Sequence, residues 1–279
     1  MGYPPFGRFL LIPLPSHSSR CITTDAVREQ VMKIGIIGAG HIGKSLVTKL
    51  SAAGHDVKVA NSRGPETIGP DILSTGARAV TAHDAVADVD VVILSIPPTG
   101  IQRIAGLIKA IPNKTVVIDT SNYYPMRDGT IDAIEAGQVE SLWVTEQLGR
   151  PIVKAWNAIG SGSLAEKGAP SGTPGRIAIP VAADREEDRR VGMRLVEDTG
   201  FDAFDAGSLT ESWRQQPGAP GYCTDLTLEE MPGALAAAER ARLPKRRDLV
   251  VAVVQERVGD GKTNPDAEFG VRVARAICL

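Results

Sequence analysis

A short apolar run followed at once by closely spaced glycines constrains this chain more than any other feature. Lys33-Ile34-Gly35-Ile36-Ile37 is brief and rich in Ile, which predicts a buried strand. Gly38-Ala39-Gly40-His41-Ile42-Gly43 follows directly, and a helical pattern then runs to Ala53 and stops at Gly54. Strand, Gly-x-Gly-x-x-Gly and helix in that order form the layout of a dinucleotide-binding unit. In that layout Gly38 permits the tight turn, Gly40 lets the backbone approach a pyrophosphate, and Gly43 lets helix and strand pack closely. The first helical turn, with His41 and Ile42, would offer backbone N–H groups and positive potential to the phosphates. For His41 the backbone N–H, rather than the ring, is the expected contact.

The next strand, Asp56 to Ala60, bears on which dinucleotide binds. NAD binders place an acid at this tip to hold the ribose 2′-hydroxyl. Here the chain continues Asn61-Ser62-Arg63-Gly64, with no acid. Arg63 can meet a 2′-phosphate with a forked, charge-assisted contact, and Ser62 can add a hydroxyl hydrogen bond. The pattern therefore predicts NADP(H).

Short apolar runs continue to alternate with helical stretches. Strands are expected at 77–80, 90–96 and 115–119, with helices at 66–75, 82–87 and 100–110. Fully apolar strands alternating with helices imply a parallel sheet covered on both faces. The fold class is α/β: a Rossmann-type parallel sheet with a smaller C-terminal α/β domain. Ligands in such sheets sit beyond the carboxyl ends of the strands. Ser95-Ile96-Pro97 and Asn122 leave two strands at that edge and are candidate contacts for the ribose and nicotinamide.

Beyond Asp119 the rhythm changes. Strands are expected at 152–155, 177–181 and 201–205, the second near a sheet edge because Pro180 lacks a ladder donor. Residues 161–175 read as a surface loop, 185–199 and 226–242 as helices, and 244–279 carry no clear pattern. The expected organisation is a disordered extension over 1–31, an NADP-binding domain over 32–150, a small substrate and dimerisation domain over 151–243, and an unassigned tail over 244–279. Pro13 and Pro15 break the apolar run near the start, which argues against a signal peptide.

A formal net charge of -2 gives no basic excess for nucleic acid or an anionic membrane, and no apolar run is long enough to span a bilayer. The three cysteines and four histidines show no metal spacing, so no metal is expected and a cytoplasmic, reducing setting is the simple reading.

Several segments resemble the coenzyme F-420-dependent NADP oxidoreductase family, F-420 being a deazaflavin hydride carrier. They are Met32 to Gly40, the string Asn61-Ser62-Arg63-Gly64-Pro65-Glu66-Thr67, Val153-Lys154-Ala155-Trp156-Asn157 and Gly200 to Leu209. The resemblance covers roughly 32–242, and its Asn-to-Thr string is more specific than the glycine loop. It implies a second ligand in a cleft between two domains, direct hydride transfer between nicotinamide and deazaflavin, and a homodimer. Trp156 stands where the family has Phe, and Tyr123-Tyr124 enlarges the loop after Asn122, so the second ligand is less determined than the cofactor.

Hydride transfer between two planar cofactors needs positioning more than a general base, so no catalytic triad is expected. Tyr123, Trp156, Asn157 and Tyr222 are candidate pocket residues, since aromatics are only 4% of the chain. Arg127 and Lys154 could meet an acidic substrate, but surface ion pairs are the commoner explanation. Alternatives are a reductase for a flavin, ferric chelate or imine, and an NADP-binding redox sensor without turnover. A β-hydroxyacid dehydrogenase is disfavoured, because Lys167 is followed by Ser171 where that class has Asn.

Overall fold

A computed structural model describes residues 1–2, 31–259, 263 and 265–279. The extension expected over 1–31 lies almost wholly outside them.

Residues 31–279 form one compact unit. Strand β1 (Lys33–Ile37) leads through α1 (His41–Ala52) to β2 (Asp56–Ala60). The helix expected over 66–75 is instead a 3-10 turn at Pro65–Thr67 and a short α2 (Pro70–Leu73). Gly69-Pro70 interrupts it, because proline cannot donate to the preceding turn. Next come β3 (Arg78–Ala79), α3 (Ala82–Val86), β4 (Val91–Leu94), α4 (Pro98–Ala110) and β5 (Val116–Asp119).

The second half holds α5 (Pro125–Asp128), α6 (Asp132–Glu135), α7 (Glu140–Leu148) and a two-residue β6 (Val153–Lys154). A short α8 (Ser161–Glu166) stands inside the segment expected to be loop. Then follow β7 (Ala178–Ala183), α9 (Glu186–Asp198) and β8 (Asp202–Asp205). The helix expected over 226–242 shrinks to α10 (Met231–Ala236) and a 3-10 turn at Arg240–Arg242. The unassigned tail forms α11 (Leu243–Val258) and α12 (Ala267–Cys278).

Among the described residues the strands join one eight-stranded sheet in the order β3-β2-β1-β4-β5-β6-β7-β8. It is parallel from β3 to β6; β7 runs antiparallel to β6, and β8 parallel to β7. Strands from both sides of residue 150 thus share one ladder. Pro180 does not mark an edge: β7 is buried and paired on both sides. It is tolerated because β6 reaches only Ala182 and Ala183, so no β6 partner stands opposite Pro180. One apolar cluster lies on each face of the sheet, around Ile34, Ile36 and Val59 on one side and Ile37, Val92 and Leu94 on the other. Alternating side-chain direction along β1 and β4 feeds both.

Candidate functional site

The glycine loop adopts the geometry its spacing predicts. Gly38 has φ +112, and a Cβ there would run into the carbonyl of Ser95. A Cβ on Gly43 would strike the carbonyl of Gly38. Both positions therefore need glycine for reasons internal to the fold. Gly40 is different, since a Cβ there would meet nothing within 4 Å. It is the cap residue of α1, which has no side-chain cap and no acid in its first turn. The leading N–H groups of α1 thus face open space with uncompensated positive potential. That cradle fits a dinucleotide pyrophosphate.

At the tip of β2, Asn61 closes the turn on itself. Its Oδ1 accepts the Arg63 N–H at 2.9 Å and its Nδ2 donates to Thr67 Oγ1 at 2.8 Å. Ser62 and Arg63 are exposed. Among the described residues, the Arg63 guanidinium has no hydrogen bond or ion pair. The turn is rigid, and its cation is unspent.

The cleft opens beyond the carboxyl ends of β1, β4 and β5, at the point where strand order reverses. Its cavity of about 650 Å³ is lined on the sheet side by Gly40, His41, Ile42, Ser95, Ile96 and Pro97. Asn122 and Asn157 form the floor and are linked twice. Asn122 Nδ2 donates to the Asn157 carbonyl at 2.8 Å, and Asn157 Nδ2 donates to Asn122 Oδ1 at 3.1 Å. Gln215 extends this link, its Nε2 donating to Asn157 Oδ1 at 2.9 Å. The loop that follows brings in Pro217, Gly218 and Tyr222. Tyr222 Oη accepts from Asn122 Nδ2 at 3.2 Å and lies 2.6 Å from Tyr124 Oη. Burial pushes both phenols above their ordinary range, and the neighbouring Cys223 thiol up to about 12.

Two expectations need correcting, those for Tyr123 and Lys154. Tyr123 does not face the cleft: it is fully buried, with Oη donating to Glu135 at 2.8 Å. Its neighbour Tyr124 faces the cavity instead. Lys154 meets no substrate, because it is fully buried and donates to Asp119 Oδ2 at 2.7 Å and to the Ser121 carbonyl. Arg127 borders the cavity and makes an ion pair, the commoner of the two readings. It pairs with Asp128, stacks 5.2 Å over Tyr124 and donates to the Asn122 carbonyl at 2.6 Å. Trp156 lies against the cavity but exposes nothing, with Nε1 donating to Thr199 Oγ1 at 3.2 Å. It and Cys223 both have φ 55, an uncommon conformation for such residues, and both border the cavity.

Beneath the loop sits a buried ionic cluster. Asp119 and Lys154 are joined there by Glu140, whose Oε2 accepts the Tyr123 N–H at 3.0 Å. Burial, only partly offset by Lys154, pushes Glu140 up to about 7.

The remaining wall comes from the tail. Val250, Val251 and Val254 of α11 and Val271 and Ala274 of α12 line the cavity. Arg275 fixes α12 in place by donating to the Thr224 carbonyl at 2.7 Å and to the Asp225 carbonyl at 3.0 Å. Lys167 sits outside the cleft, held by Asp225 at 3.1 Å and Glu268 at 2.6 Å.

These features place an uncapped helix N-terminus, the exposed Arg63 side chain and an open cleft at the carboxyl edge of one sheet. Residues 33–123 match the model of the coenzyme F-420-dependent NADP oxidoreductase family. The matched segment includes the glycine loop, the Asn61–Arg63 turn and Asn122. Protein YjhV of Escherichia coli is 48% identical over 79 residues, 27% of this chain and 58% of that protein. This chain thus spans little more than half of that curated relative. Among solved structures, hypothetical protein SMa0349 of Sinorhizobium meliloti superposes with a TM-score of 0.59 at 28% identity, covering 71% of this chain and 96% of that one. A proposed F-420-dependent NADP-reductase from Arthrobacter gives 0.51 at 17% identity, covering 65% and 87%, and shares the fold. No helix among the described residues is long and apolar enough to cross a membrane.

Proposed function

We propose that the chain transfers hydride between NADP(H) and a second, planar ligand seated in the cleft, with F-420 the first acceptor to test. One observation carries this reading. The open glycine and free helix N-terminus at Gly40–His41 border the same cavity as Asn122, Trp156 and Tyr222. A dinucleotide anchored at the first would direct its nicotinamide toward the second. Gly38, Gly40, His41, Ile42 and Gly43 would hold the pyrophosphate, and Ser62 and Arg63 the 2′-phosphate beside Asn61. Ser95, Ile96, Pro97 and Asn122 would border the ribose and nicotinamide. When bound, NADPH supplies a hydride. The chain's own work is to orient the two ligands and exclude water, since the effective concentration of held reactants replaces a general base.

Cavity volume supports a planar ligand of moderate size, in the ordinary range for small-molecule sites. The proposal extends to a cytoplasmic homodimer, as the family resemblance implies. Its test is NADPH oxidation by purified protein with F-420, a flavin and a ferric chelate as separate acceptors. Turnover with F-420 supports the reading. Tight NADPH binding without turnover on any of them favours a sensor instead.

A further inference from the structure

Two phenols in the cleft have no part in the proposed cofactor binding. Tyr124 and Tyr222 come from loops almost a hundred residues apart, yet their hydroxyls meet at 2.6 Å. Asn122 donates to Tyr222 at 3.2 Å, which ties the pair to the carboxyl edge of β5. Asn122 is itself fixed by Asn157. Both tyrosines are half-buried and border the cavity. The tail lines the same cavity with Val250, Val251 and Val254 of α11 and Val271 and Ala274 of α12, beside Arg247 and Gln255. A ligand lying there meets an aliphatic wall along its body and a phenolic hydroxyl pair at one point.

We propose that this pair receives the carbonyl oxygen of the hydride acceptor, that Tyr222 is the proton donor to it, and that the acceptor is a conjugated carbonyl compound on an apolar, planar body. The inference rests on the hydride-transfer reading above and deepens it.

The chemistry follows from where charge develops. The acceptor's conjugated carbon takes hydride, two electrons and one hydrogen, from the bound dihydronicotinamide. The π electrons shift along the conjugated system onto the carbonyl oxygen. Tyr222 passes its phenolic proton to that oxygen, Tyr124 passes its own to Tyr222, and water at the cleft mouth restores Tyr124. A donor placed where negative charge appears stabilises the transition state more than the ground state. Both phenols keep their protons through the neutral range because burial disfavours phenolate. An iminium acceptor arrives already protonated, and a ferric chelate takes single electrons without a proton, so neither uses this device. A deazaflavin and a quinone both do, the enol formed first then exchanging its proton with water to give the N–H dihydrodeazaflavin or the hydroquinone.

Tyr222→Phe and Tyr124→Phe test it, because each removes one hydroxyl and keeps the ring. Binding is read first, without turnover, by titrating the NADP⁺-loaded protein with oxidised F-420 or with menadione. Turnover with NADPH and the solvent deuterium isotope effect on kcat are read second. The expected result is unchanged NADPH affinity, acceptor binding about three- to tenfold weaker, and kcat about a hundredfold lower in Tyr222→Phe. Tyr124→Phe should lose less, with an altered isotope effect. The F-420 and menadione arms tell which conjugated carbonyl is preferred. Wild-type binding and turnover in Tyr222→Phe would overturn the inference. So would a protein that binds NADPH but neither acceptor, an outcome that leaves the cofactor reading intact. Failure to bind NADPH at all would remove the cofactor reading and this inference with it.

Discussion

Lys154 Nζ lies 2.7 Å from Asp119 Oδ2, and neither side chain exposes any surface. The pair bridges β5 and β6, and Lys154 also donates to the Ser121 carbonyl. It holds the loop that carries Asn122 at the cleft floor. Lys154→Met should therefore cost about 3–5 kcal/mol, since it leaves a buried carboxylate uncompensated. Urea denaturation measures this. The double variant Lys154→Met with Asp119→Asn should recover part of the loss, and no recovery would mean that Lys154 acts through packing alone.

Glu140 gives the stability a pH dependence of definite sign. Its carboxyl is pushed from 4.5 up to about 7 in the folded chain, mainly by burial. Between those values the native state holds a proton that the unfolded state has lost, so stability falls as pH rises. Full ionisation above 7 costs about 3 kcal/mol. Glu140→Gln keeps an acceptor for the Tyr123 N–H and removes the titration. Its unfolding free energy should decline less than that of wild type between pH 5 and 8. Parallel curves would refute the assignment.

Arg63 should discriminate between the two dinucleotides. Arg63→Ala is expected to weaken NADPH by roughly 10- to 100-fold, the worth of a charge-assisted contact, and NADH hardly at all. Fluorescence titration of both cofactors decides it. Equal loss for both would place the 2′-phosphate elsewhere.

Two glycines in one loop should respond oppositely. Gly38→Ala combines a positive φ with contact against the Ser95 carbonyl, and should lower stability by more than about 2 kcal/mol. Gly40→Ala meets no atom of the chain and should leave Tm nearly unchanged. Its added methyl would stand where phosphate should approach, so NADPH affinity should drop. A Gly40→Ala protein with normal affinity would move the pyrophosphate away from this residue.

The first half of the fold was legible because its signals are local. β1, β4 and β5 are short runs dominated by Ile, Val and Leu, and the glycine loop sits between a strand and a helix. The Asn61–Thr67 string likewise marks a turn whose hydrogen bonds are all short-range. The second half depends on distant partners. β6 has two residues and exists because β5 and β7 flank it. The sequence places Tyr123 and Tyr124 side by side but cannot say which one turns inward. Burial of Lys154 required knowing that Asp119 would lie opposite. The tail did carry an overlooked signal. Asp266 caps α12 by accepting the Phe269 N–H at 2.8 Å, and Val271, Ala274 and Cys278 recur at helical spacing on its buried face. α11 gave less, because its valines run consecutively without a clear period.

The tail helices contribute to the cleft without contributing a strand. They rest against it through aliphatic side chains and the Arg275 clasp, while the cofactor elements belong to the sheet edge. In the proposed arrangement the aliphatic wall of the cleft and the phosphate-binding loop come from separate stretches of chain. Changes along α11 and α12 should then retune acceptor choice while leaving cofactor preference alone, which makes these helices the natural place to alter substrate range by selection or by design.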